Sequence, residues 1–247
     1  MSNRVFASSS KQVYVAGDLH GDYKHFKKIL DVFETSGKGS LLLFLGDYAD
    51  RGLHGSEIII QLSNLLDNRK DIVCLKGNHE LYKEGRPVFA PCDLIYEAET
   101  KHGSWKKFYR DTLLGFLGKL HIAAVINNVL FVHAGIFSGI KSVKDLEKPE
   151  NEMNLLWSDP SPVKGEHPNR RGAGVAFGED ITTEVLTSLG TTIIVRSHEP
   201  NKAAEGPYIE HGGRVVTTNS CSSYGEPWKP FILKVNTEKA TYKPIFL

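Results

Sequence analysis

The residues whose types and spacing could do chemistry begin with Gly46-Asp47-Tyr48-Ala49-Asp50-Arg51-Gly52. Two carboxylates and a guanidinium stand between glycines, which let a backbone turn sharply and approach a ligand closely. Alone, the stretch reads equally well as a turn with a surface ion pair, because Asp and Gly are ordinary turn residues. The same design recurs, however. Asp18 and His20, Asp47, Asn78 with His79, His133, and His198 each follow a separate apolar run. These are oxygen and nitrogen donors with no thiolate among them. Such a set suits manganese, iron or zinc and argues against a structural cysteine-type zinc site. One cation takes about four ligands, so six donors point to two cations about 3.5–4 Å apart that share a bridging carboxylate. Asp47, on the central run, is the natural bridge. His25, His54, His102, His121, His167 and His211 lack this context and are read as ordinary core or surface side chains.

Strands must carry these donors. Residues 13–16, 41–45 and 72–75 are short apolar runs, each ending in a polar, glycine-bearing loop. Between them Phe26, Ile29, Leu30 and Phe33 recur at helical spacing, as do Ile58, Ile59, Leu62, Leu65 and Leu66. This is strand-loop-helix three times over, and right-handed crossovers would bring all three loops to one edge of a parallel sheet. The pattern weakens over 81–103. A helical stripe follows over 105–117, and two apolar runs flank Asn127-Asn128, which predicts a hairpin. Residues 141–153 read as charged surface, 162–178 as a long loop, 182–189 as a helix, 192–195 as a strand, and the tail as β-rich.

The chain has 247 residues, 40% hydrophobic and 24% charged, and a formal charge of +1. That balance leaves no strong field for nucleic acid or a membrane surface, and neither partner is expected. No apolar run nears the ~20 residues of a membrane span. The first twelve residues lack the apolar core of a secretory signal. Three cysteines, without CxxC spacing, fit a reducing cytoplasm, which is the expected location. One domain over 1–247 is expected, with no linker or repeat.

Three blocks carry a resemblance. Gly17-Asp18-x-His20-Gly21, Gly46-Asp47-x-x-Asp50-Arg51-Gly52 and Gly77-Asn78-His79-Glu80 resemble the signature blocks of the phosphoprotein phosphatases, the dinuclear-metal serine/threonine branch of the calcineurin-like metallophosphoesterases. Further blocks are similar to that branch: Leu155-Leu156-Trp157-Ser158-Asp159-Pro160, Arg171-Gly172 with Phe177-Gly178, and Arg196-Ser197-His198-Glu199. The resemblance implies an α/β fold, a metallophosphoesterase-type sandwich of two mixed β-sheets flanked by helices. It implies one metal on Asp18, His20 and Asp47, and another on Asp47, Asn78, His133 and His198. Manganese is the first choice, with iron or zinc as alternatives. Arg51 and Arg171 match the phosphate-binding arginines, and Asn78 and Tyr224 are also assigned to substrate. His79 matches the general acid and Asp50 the carboxylate that orients it.

The activity so implied is hydrolysis of phosphoserine and phosphothreonine in proteins, by in-line attack of a hydroxide shared by the metals. Phosphoproteins are the expected partners, and separate regulatory subunits the expected source of control, since the sequence shows no extension beyond the catalytic region. Two departures stand out. His133-Ala134-Gly135 replaces a His-Gly-Gly block, a change also seen in dinucleoside-tetraphosphate hydrolases, which are the rival reading. The late loop, Thr218 to Gly225, reads differently from its counterpart, with Tyr224 in the place of the family's tyrosine to within one residue. A non-enzymatic scaffold that holds phosphoproteins on its metals is the third reading.

Overall fold

The runs read as fully apolar are strands buried on both faces. Gln12–Ala16, Leu41–Phe44 and Ile72–Cys74 lie side by side in parallel, in that order, and Phe231–Asn236 and Thr241–Phe246 extend their sheet in antiparallel fashion. A computed structural model describes residues 4–225 and 228–247. Along these strands the side chains alternate. Val13, Val15, Leu43 and Val73 point to one face, and Tyr14, Ala16, Leu42, Phe44 and Cys74 to the other. A strand with helices on one side and a second sheet on the other has no solvent face, so neither set can be polar.

The second sheet runs in the order Val5–Ser8, Ala123–Ile126, Val129–Val132, Ile193–Arg196, Val215–Thr217, Tyr208–Glu210. It mixes parallel and antiparallel neighbours, like the first. Ala124, Phe131, Val195 and Val216 meet the first sheet in a shared core. The outer faces are covered by helices. Phe26, Ile29 and Phe33 of Tyr23–Glu34 and Ile58, Ile59 and Leu62 of Gly55–Asn68 cover the first sheet. Leu155 and Leu156 of Glu152–Trp157 and Val185 and Leu186 of Glu179–Leu189 cover the second. The expected two-sheet sandwich flanked by helices is therefore the fold.

The predicted hairpin forms, with Asn127 in the left-handed region at φ 49°. Other segments differ from the sequence reading. Leu94–His102 is a helix, hidden because only Leu94 and Ala98 of its buried positions are apolar, the third being Glu97. Residues 105–117 are helical but widen into a π-turn over Tyr109–Leu113. The expected loop 162–178 holds two strands of a small sheet, Glu166–Pro168 and Val175–Phe177, which is completed by Asp159–Pro160. Val5–Ser8 is a strand the sequence reading did not anticipate.

Candidate active site

Donors from both sheets meet at the carboxyl ends of their strands. Asp18, His20, Asp47, Asn78, His133 and His198 are brought together, none more than 5% exposed. The loops that present them are tightly fitted. A Cβ on Gly46 would lie 2.4 Å from the Gly77 nitrogen, so the loops carrying Asp47 and Asn78 pack backbone to backbone. His20, Asp47, Asp50, Arg51 and His198 all adopt positive φ, between 42° and 70°. Non-glycine residues rarely accept that conformation, and such strain gathers where a site demands it.

The Asp47 carboxylate faces two ways. Its Oδ2 lies 3.5 Å from His20 Nε2, and its Oδ1 lies 3.5 Å from His133 Nε2. On the first side, Asp18 Oδ2 is 3.9 Å from the same His20 nitrogen. On the second, His133 Nε2 is 2.9 Å from Asn78 Oδ1 and 3.1 Å from His198 Nδ1.

Tautomers decide what this packing means. His20 Nδ1 donates to the Ala49 carbonyl and His133 Nδ1 to the Leu45 carbonyl, each at 2.9 Å. With Nδ1 as the donor, each neutral ring turns an Nε2 lone pair toward carboxylate oxygens. Lone pair therefore faces lone pair on both sides of Asp47. Asp18 Oδ2 and His198 Nε2 are also buried with no hydrogen-bond partner among the described residues. Buried acceptors collected without donors are costly unless a cation lies among them. The donor set thus fits divalent metal ions, as two overlapping groups also indicate: His20, Asp47 and His79, and Asp47, His133 and His198.

Protonation separates the histidines. Burial pulls His20 and His133 down to about 4 and His198 well below its ordinary value, which keeps their rings neutral. Burial pulls on His79 too, but the charges of Asp47 and Asp50 outweigh it and carry that ring up to about 9. His79 Nδ1 donates to Asp50 Oδ2 at 2.6 Å, while Asp50 Oδ1 accepts from the Leu94 backbone nitrogen at 2.8 Å. Phe89 packs against the same ring, 4.5 Å between centroids.

The substrate-side residues are more open. Arg51 is exposed. Its backbone nitrogen donates to Asp93 Oδ2 at 3.0 Å, and its guanidinium lies 5.6 Å from the Tyr224 ring. Tyr224 meets His20 edge-on at 5.5 Å and stacks on Trp228 at 5.0 Å. Arg171 Nε donates to Asp159 Oδ2 at 2.7 Å, and the positive charge of Arg171 is one of those that hold His198 down. All the residues singled out from the sequence therefore border one edge of the molecule.

Several neighbours escaped that reading. The buried Glu80 carboxylate accepts from the backbone nitrogens of Asp47, Tyr48 and Gly77, at 2.9, 3.1 and 2.9 Å, and so ties two donor loops together. Ser197 Oγ donates to Asp18 Oδ1 at 2.6 Å and ties the two sheets. Arg196, fully buried, donates to Asp159 Oδ1 at 2.9 Å, to Glu199 Oε2 at 2.6 Å and to the Ala134 carbonyl. Glu80, Ser197 and Arg196 each lie one or two residues from His79 or His198 in sequence, which was the available signal. Asp93 and Leu94 had none, because the helix they begin was not legible.

Comparison with known proteins places this geometry. The family model described as calcineurin-like phosphoesterase matches residues 11–202. A serine/threonine-protein phosphatase 5 of Arabidopsis thaliana is 35% identical over 230 residues, which is 87% of this chain and 40% of that protein. The human protein of the same name is 32% identical over 231 residues, 87% of this chain and 44% of that one. The chain thus spans less than half the length of these curated relatives. Among solved structures, a protein serine/threonine phosphatase of Saccharomyces cerevisiae with similarity to human phosphatase 5 superposes with a TM-score of 0.76 at 25% identity, covering 94% of this chain and 76% of that one. The resemblance read from the sequence blocks, to the phosphoprotein phosphatases, is borne out.

Proposed function

The chain belongs to the calcineurin-like phosphoesterase family, and we propose that residues 1–247 form a single catalytic domain that hydrolyses phosphoserine and phosphothreonine monoesters. The observation that carries this reading is the two-faced Asp47 carboxylate, with separate nitrogen sets on its two sides and the His79–Asp50 pair beside it. Asp18, His20 and Asp47 would hold one divalent ion, and Asp47, Asn78, His133 and His198 the other. When bound, the two ions supply a water nucleophile ionised near neutral pH and neutralise charge on phosphoryl oxygens. Manganese is our first choice, with iron or zinc next, because the donors are oxygen and imidazole nitrogen without sulfur.

The chain's own residues do the rest. Arg51 and Arg171 border the centre from two loops, where planar forks can each grip two phosphoryl oxygens. The Tyr224 ring, 5.6 Å from the Arg51 guanidinium, supports it. Asn78 would serve a metal and, by the family resemblance, the substrate as well. Asp50 fixes the His79 ring through Nδ1, so the proton on Nε2 faces the leaving oxygen. Serine and threonine alkoxides leave poorly, and protonating them there lowers the barrier. Phosphoproteins are the proposed substrates, separate chains the proposed source of regulation, and the cytoplasm the proposed compartment. Among the described residues no helix is long and apolar enough to cross a membrane.

A dinucleoside-tetraphosphate hydrolase is the second reading, on the strength of His133-Ala134-Gly135. Ala134 is fully buried, and its backbone is bonded to Leu155 and Arg196. Its methyl group therefore meets packing rather than substrate, and the signal loses weight. Phosphate release from a phosphopeptide panel, after stripping and reloading with manganese, iron, zinc or magnesium, tests the proposal. Turnover of phosphopeptides far above that of diadenosine tetraphosphate is expected. The reverse order would establish the second reading, and tight phosphopeptide binding without release would make the protein a scaffold.

A further inference from the structure

The helix Tyr23–Glu34 begins just after His20 and turns three lysines outward beside the catalytic edge. Lys24 and Lys28 stand at i and i+4 on one side, and Lys27 lies next to them over the Tyr23 ring. Two depressions meet at this helix. One, of about 670 Å³, starts at Gly21, Leu53 and His54 on the catalytic edge. The other, of about 470 Å³, runs on to Trp228 and Lys229. Lys24, Lys28 and Ser222 line both, so they form the ridge between them.

Among the described residues that line this strip, lysines outnumber acidic side chains. Like charges at i and i+4 repel on a helix surface. Among the described residues no carboxylate lies within ion-pair distance of Lys24, Lys27 or Lys28, and Lys229 has only Glu205 at 4.0 Å. Asp22 is close by but is already engaged. Its Oδ2 accepts from His25 Nδ1 and from the Ser222 nitrogen and hydroxyl, each at 2.8 Å. Among the described residues, Asp31 is the one other acidic side chain lining the strip. His54, at the catalytic end, is paired with Glu57. Among the described residues, Lys24, Lys27 and Lys28 thus line a path to the candidate catalytic edge without an ion-pair partner.

We propose that this lysine-lined strip holds an acidic segment of the substrate protein, adjacent in its sequence to the phosphorylated residue. This rests on the phosphoprotein reading of the site. Carboxylates strung along an extended peptide suit compact ammonium groups on flexible stems, which tolerate a variable register. Nucleic acid fits less well. Its backbone calls for arginine forks and open aromatic platforms, and here the cations are lysines, while Tyr224 and Trp228 stack on each other.

Three phosphoserine peptides test the strip: one with acidic residues before the phosphoserine, one with them after it, and one neutral. One acidic peptide should exceed the neutral one by about 5–20-fold in kcat/KM, mostly through KM, and rising salt should shrink the gap. The double variant Lys24→Glu/Lys28→Glu should remove or invert the preference while leaving turnover of a small aryl phosphate unchanged, which also shows that it folds. Lys24→Gln/Lys28→Gln should give an intermediate loss. Equal turnover of all three peptides by the wild type, or a preference kept by the double variant, would overturn the strip and leave the site reading standing. Turnover of aryl phosphate but of no phosphopeptide would overturn that reading and the strip with it. Inhibition by an oligonucleotide that the double variant abolishes, without any peptide preference, would assign the lysines to nucleic acid instead.

Discussion

Two regions of the site are built on opposite plans. At the rear, the six candidate metal donors sit on strand ends of two sheets, nearly sealed from solvent and tied by backbone carbonyls, Glu80 and Ser197. At the front, Arg51, Arg171 and Tyr224 ride on loops. Each is held by few partners: Asp93 grips only the Arg51 backbone, and Asp159 meets Arg171 through a half-exposed pair. Chemistry that fails when atoms move by an ångström belongs on rigid elements. Gripping substrates of varied sequence tolerates, and benefits from, longer tethers. The comparison implies that damage at the rear should be all-or-none and shared between neighbours, whereas damage at the front should be graded and local.

Asp47→Asn is the sharpest break. Because its two oxygens serve different nitrogen sets, one substitution should weaken both metal sites together. Elemental analysis should find both ions depleted and turnover at background. If instead one ion stays fully bound, Asp47 is not shared, and the rear is two independent sites rather than one unit.

His79 belongs to the rear by burial but acts toward the front. His79→Asn should leave metal content near normal and lower kcat by about 10²–10⁴-fold on a phosphoserine peptide. Aryl phosphates, whose leaving groups need less protonation, should lose less. Equal losses on both substrates would make His79 a structural part of the rear.

What was legible in the sequence follows the same division. Strand ends announced themselves, because Leu41–Phe44 or Val129–Val132 can be nothing but a buried strand, and a histidine or aspartate straight after such a run is conspicuous. The two-sheet arrangement and Arg171 came from block resemblance, as a solvated arginine carries no signal of its own, whereas Arg51 was marked by the glycine-bounded stretch it stands in. Missing altogether were contacts set by distant packing. No spacing rule joins Asp93 to Arg51, forty-two residues apart in sequence, and Leu94–His102 hid because its buried Glu97 serves the Gly55 and Ser56 nitrogens instead of the apolar core. A polar residue spent inside the fold breaks the periodicity by which helices are read.

Arg51 tests the front. Arg51→Ala should lower kcat/KM by about 10–100-fold, the scale of one or two lost charge-assisted hydrogen bonds. Arg51→Lys keeps the charge but loses the planar fork, so most of that loss should remain. Metal content should not change in either variant. A parallel loss of metal would mean that the front braces the rear, and the proposed division would fail.

Asp159 sits on the seam, with Oδ1 taken by the buried Arg196 and Oδ2 by the half-exposed Arg171. Asp159→Asn should have the smallest effect on activity, a few-fold fall in kcat/KM, because Arg171 is loosened rather than lost. Its effect on stability should be clear. Arg196 keeps Glu199, so the cost should fall short of a fully broken buried pair and come to about 1–3 kcal/mol. For a domain of this size that is a Tm fall of about 3–10 °C. The pH dependence carries the sign. Burial alone would raise the Asp159 carboxyl, but the two guanidiniums outweigh it and hold it below the usual carboxylate range. A depressed carboxyl contributes fully above its unfolded value, near ~3.9, and loses that contribution as pH falls toward its folded one. The Tm gap between wild type and Asp159→Asn should therefore be constant from neutral pH down to about 5 and narrow below about 4. If the gap stayed constant into acid, the carboxylate charge would not be what joins the two regions, and shape alone would have to hold Arg171 in place.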